Sequence, residues 1–90
     1  MNDEPAERHA TIAGTVVAEW DDVRVTGTLD TGHRVADMPG TVGTVDDRDR
    51  RLKVWPDDAD WPGLPDDHDG KLWFGWEDVE AVVVVRRETE

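Results

Sequence analysis

Pro39-Gly40-Thr41-Val42-Gly43-Thr44-Val45 is the stretch that decides the fold. Its β-branched residues favour an extended chain, and proline is tolerated at the first residue of a strand. Val42 and Val45 stand three positions apart, which breaks the period of two that a half-buried strand keeps. Gly43, between them, is the natural place for a β-bulge, and a bulge lets a short sheet bend back on itself into a barrel. A strand that starts at Pro39 and kinks at Gly43 therefore implies a small, strongly bent all-β domain.

The flanking segments carry the same signature. Val23 to Thr26 alternates valine with polar residues, as a half-buried strand does. Residues 27–38 hold Gly27, Asp30, Gly32 and Asp37 and read as a long loop. Asp46 to Arg51 reads as a hairpin turn. Beyond it Leu52 and Val54 alternate with Lys53 and Trp55, which places Trp55 on the outer side. Residues 56–70 contain three prolines, two glycines and six aspartates, a composition that fits no packed strand and marks a long exposed loop. Lys71 to Trp76 is a strand, Trp76 to Val79 reads as one tight helical turn, and Ala81 to Arg86 is the last strand. Upstream, Thr11 to Trp20 reads as one short strand followed by an Asp21-Asp22 turn. Residues 1–10 read as a disordered acidic tail, so the domain is expected over 11–87.

Ninety residues make one domain with one thin core. The formal net charge of -12 repels phosphate backbones and anionic membranes and favours basic partners. There is no cysteine, which excludes disulfides and thiolate metal sites. Met1 to Pro5 has no apolar signal-peptide core, and the apolar run Ala81 to Val85 is too short to span a bilayer; we expect a cytoplasmic protein. The absence of Ser, Gln, Tyr and Cys, with eight Arg against two Lys, speaks of a high-GC coding sequence such as that of an actinobacterium, its phage or a haloarchaeon.

Three pieces resemble SH3-like small barrels of the KOW type: Val23-Arg24-Val25 before a long loop, the glycine-bearing stretch 39–45, and the turn from Trp76 to Val82 before the last strand. The resemblance covers about residues 21–86 and implies an all-β, single five-stranded SH3-like barrel, with room for an extra N-terminal strand. It does not fix a function, because the fold hosts many.

Candidate contact residues follow from composition. In the 56–70 loop the aspartates contribute -6, half of the net charge, and Trp61 and Leu64 stand among them as apolar anchors. Two readings are open and can both hold: an acidic–aromatic patch for a basic partner, and a loop whose Trp61 and Leu64 fold back to cap one open barrel end. On the strands, Trp73 points outward by the same alternation as Trp55, so the two form an aromatic pair if their strands are neighbours. The expected partner-binding set is Trp55, Asp57, Asp58, Asp60, Trp61, Leu64, Asp66, Asp67 and Trp73. Asp67-His68-Asp69-Gly70 lacks the alternating acids of a calcium loop, Pro65 standing where one is needed, so we expect an Asx-type turn into Lys71 and no metal. The three histidines are far apart, and there is no Ser or Cys nucleophile; we expect no catalysis and no cofactor. The favoured function is a non-catalytic acidic protein-interaction module, an accessory protein whose partner has a basic surface. The alternatives are a nucleic-acid mimic that occupies the basic groove of a DNA- or RNA-binding protein, and a KOW-like RNA or ribosome binder working through Arg48, Arg50, Arg51 and Lys53.

Overall fold

Ala13 and Gly14 both have positive φ, 51° and 81°, the backbone of a two-residue type I′ hairpin turn. In the computed structural model, which describes residues 9–66 and 68–86, this turn joins β1 (His9–Ile12) to β2 (Thr15–Ala18). The single strand expected over Thr11 to Trp20 is therefore a hairpin, because glycine turns the chain there instead of merely weakening a helix. Of the tail expected over 1–10, residues 1–8 lie outside the described residues, and His9 and Ala10 open β1.

Four longer strands follow: β3 (Asp22–Leu29), β4 (Arg34–Asp46), β5 (Arg51–Pro56) and β6 (Leu72–Arg86). They pair antiparallel in that order, and β6 returns to pair with β3, so the ring closes. No helix occurs among the described residues. The protein is all-β, as the alternation predicts.

The bulge expected at Gly43 is present: the β4–β5 register shifts between Val42 and Thr44. Pro39, expected to start its strand, lies well inside β4, opposite Arg24. It is tolerated because its carbonyl accepts the Asp57 N–H at 3.0 Å on the side away from β3. A strand residue's nitrogen and carbonyl point to the same side, so the missing N–H costs the β3 ladder nothing.

The long loop expected over 27–38 is a tight turn instead. β3 continues through Gly27 to Leu29, and the turn is closed by Leu29 N–H to His33 O at 2.7 Å and Gly32 N–H to Leu29 O at 2.8 Å. Gly27 is not a loop residue. A Cβ there would lie 2.5 Å from the Asp78 carbonyl, so glycine lets β6 cross closely over β3. The helical turn expected over Trp76 to Val79 is likewise strand. At this corner β6 leaves β5, paired up to Gly75, and continues along β3, with which it pairs at Phe74 and again from Val79. The Trp76 N–H reaches back to Arg50 O at 2.9 Å.

The core is aliphatic and gathers inward residues from every strand: Ile12 and Val17 of the hairpin, Val23, Val25 and Leu29, Val42 and Val45, Leu52 and Val54, and Phe74 and Val82. One acid is buried among them. Asp21 accepts the Ala18 N–H at 2.9 Å, and its own carbonyl accepts the Val42 N–H at 2.9 Å, fixing the hairpin to the ring.

Candidate functional site

The alternation that buries Leu52 and Val54 turns Arg51, Lys53 and Trp55 outward on β5. Lys53 pairs with Trp73 on β6, so both expected tryptophans lie on one outer face. They do not touch as a pair; Lys53 stands between them. Its Nζ is 5.5 Å from the Trp55 ring and 5.7 Å from the Trp73 ring. Arg51 stacks over Trp73, its Cζ 4.2 Å from the ring centroid. At the other end Trp20 meets Trp55 edge to face, centroids 5.5 Å apart at 61°. The result is a continuous row: Arg51, Trp73, Lys53, Trp55, Trp20. Gly43 makes room for it, since a Cβ there would sit 3.1 Å from both Lys53 Cε and Trp55 Cε2.

The row is unevenly saturated. Trp73 is half-buried under Arg51, and Lys53 is shared almost equally between Trp73 and Trp55, leaving Trp20 without a cation among the described residues. Trp20 and Trp55 are 44% and 36% exposed. Trp20 sits in the turn between β2 and β3 with φ 74°, a conformation rare and strained for a bulky residue. It is held there by its N–H to Val42 O at 2.7 Å. The turn expected at Asp21-Asp22 lies at Glu19 and Trp20 instead, with Asp22 already in β3; Trp20 is the site residue missed by reading the sequence, and its position directly before two acids is the one signal that points to it. Arg51 is close to neighbouring acids, 3.8 Å from Asp46 and 4.0 Å from Asp49, and its Nε is buried without a hydrogen-bond partner.

The 56–70 loop is a separate feature. Asp57 bonds Pro39, Asp58 Oδ1 accepts the Asp60 N–H at 2.9 Å, and the Trp61 indole donates to Ala36 O at 3.3 Å. Trp61 and Leu64 pack partly buried against the core. Gly63 lies against the Arg34 carbonyl. The loop thus folds back as in the second of the two readings, onto the outer edge of β4 over residues 34–39. Asp57, Asp58, Asp60 and Asp66 are exposed along it; Asp67 lies outside the described residues. His68 ties the loop: the Gly70 N–H donates to Nδ1 at 3.0 Å, which leaves Nε2 to donate to Ala59 O at 2.8 Å. Asp69 Oδ1 accepts the Lys71 N–H at 3.2 Å, the expected Asx turn.

Between this loop and the β3–β4 turn lies a cleft of about 370 Å³, with Leu29, Thr31, Pro65, Lys71 and Trp73 in its lining. Across β3, Arg34 and Glu80 form a two-point pair at 2.7 and 3.1 Å. The shared hydrogen bond holds the Glu80 carboxyl below its ordinary range and the Arg34 guanidinium above its own. Among the described residues no group of three or more His, Cys, Asp or Glu is placed to hold a metal, and no helix is long and apolar enough to cross a membrane. Comparison of the chain with protein families, curated proteins and solved structures gives no match.

Proposed function

We propose that the chain is a non-catalytic interaction module that docks a protein with a basic surface through the Trp20–Trp55 end of the aromatic row. The observation that carries this reading is the uneven saturation of the row. Arg51 stacks on Trp73 and Lys53 is shared between Trp73 and Trp55, whereas Trp20, exposed and edge to face with Trp55, carries no cation among the described residues. Rigid aromatic surface of this kind is what interface hot spots are made of. The field of -12, with the exposed aspartates of the 56–70 loop, steers a basic partner toward it. The fold is consistent with an SH3-like barrel: dividing β6 at its corner over 75–78 makes five strands of the closed ring.

Trp55→Ala and Trp20→Ala should each weaken partner capture by about 2 kcal/mol or more, the size of a hot spot, while Asp60→Asn changes it by less than about 1 kcal/mol. If the aspartate variants cost more than the tryptophan variants, the nucleic-acid mimic takes its place. One observation favours the RNA-binding reading: cations interleave with aromatics on the row, as on single-strand stacking platforms. Both cations already cover indoles and the whole field opposes phosphate, so we place it second. A mobility-shift titration with an RNA oligonucleotide at low salt decides it; a retarded band would displace the protein-docking reading.

A further inference from the structure

We infer that the cleft between the β3–β4 turn and the 56–70 loop takes an arginine side chain of the partner. This rests on the protein-docking reading and adds a subsite to it. Leu29, Pro65, Leu72 and Trp73 give the lining its apolar part, and Asp30, Thr31, His68, Asp69 and Lys71 its polar part. The volume of about 370 Å³ falls at the small end of ligand sites, enough for one long side chain. Trp73 has Arg51 and Lys53 against its ring and is also part of the cleft lining, where the Asp30 N–H donates to its carbonyl at 3.0 Å. A planar guanidinium stacks on an indole in the way Arg51 already does, and its methylenes cover the apolar part of the lining.

Charge favours a cation. Asp30 and Asp69 are exposed in the lining, and neither carboxylate is in an ion pair with a described residue. Asp69 uses one oxygen for the Lys71 N–H. Lys71 is the opposing charge, and both ring nitrogens of His68 are engaged with the backbone of Gly70 and Ala59. Two carboxylates on either side of a slot match the fork of a guanidinium better than a point ammonium.

The test is a two-dimensional NMR titration of the full chain with acetyl-arginine amide, acetyl-lysine amide and acetyl-norleucine amide. Saturable shifts confined to residues 29–31 and 65–73 are expected with the arginine probe, with weaker binding of lysine and weakest of norleucine. Asp30→Asn and Asp69→Asn should each weaken the arginine probe about fivefold, and Asp58→Asn should not. Asn at 69 keeps the oxygen that caps Lys71, so folding is retained. Equal response to norleucine, an equal loss in Asp58→Asn, or no saturable response would overturn the inference. Trp55→Ala should leave probe binding unchanged while abolishing partner capture, so failure of the cleft and failure of the row are read separately.

Discussion

Trp20 shows how one residue separates binding from stability. Its left-handed backbone costs about 1 kcal/mol relative to glycine, and its indole makes one edge contact with Trp55. Trp20→Gly should therefore change the denaturation free energy by less than about 1 kcal/mol, cost and relief offsetting, while partner capture is lost. Ala13 is the converse case, strained with no indole to keep. It occupies the first position of a type I′ turn with φ 51°, where Asn is preferred before glycine. Ala13→Asn should stabilise the chain by about 0.5–1 kcal/mol, read from the urea midpoint at unchanged slope. Gly27 allows no such freedom: a Cβ would meet the Asp78 carbonyl and the Val79 Cα, both backbone, so Gly27→Ala should destabilise by about 1–3 kcal/mol.

At the scale of elements the molecule manages its strand edges. The 57–64 segment covers β4 over 34–39, and the turn Glu19 to Asp21 covers β4 near Val42 and Val45, Glu19 accepting the Val45 N–H at 3.1 Å. The remaining stretch of β6, Ala81 to Val84, is bounded by register shifts beside Glu80 and Val85, and such bulges blunt an edge against pairing. Trp61 is thus an edge cover before it is an anchor. Trp61→Ala should cost about 1–3 kcal/mol, less than the loss of a fully buried aromatic, and should speed amide exchange along 34–39. The Glu80 carboxyl is held below its ordinary range by Arg34, so its contribution is present above the unfolded value and fades as pH falls through the lowered one. The stability difference between wild type and Glu80→Gln should shrink on acidification through that range. What the sequence made legible follows this division. Gly43 as a bulge, the outward turn of Trp55 and Trp73, and the Asx turn before Lys71 depend on neighbours within a few positions. Gly27 inside a strand, the extended corner at Trp76 to Val79 and the meeting of Trp20 with Trp55 depend on segments far away in the chain, and no local pattern encodes them.

For the whole molecule, charge and size are of one scale. A net charge of -12 sits on a body with a radius of gyration of 12.6 Å, close to the screening length of about 10 Å at 0.1 M salt. Below that ionic strength the carboxylates repel across the molecule. The urea midpoint should rise with sodium chloride from about 0.01 to about 0.2 M and then level off, and an equal concentration of an uncharged solute should not reproduce the rise. The ring's closure by its first and last members, β3 and β6, has a consequence for biosynthesis. A growing polypeptide on the ribosome cannot complete the β3–β6 pairing until Arg86 has emerged. A chain ending before Val82 lacks the residues that pair with Asp22 to Val25 on β3 and should lose the cooperative urea transition of the full chain.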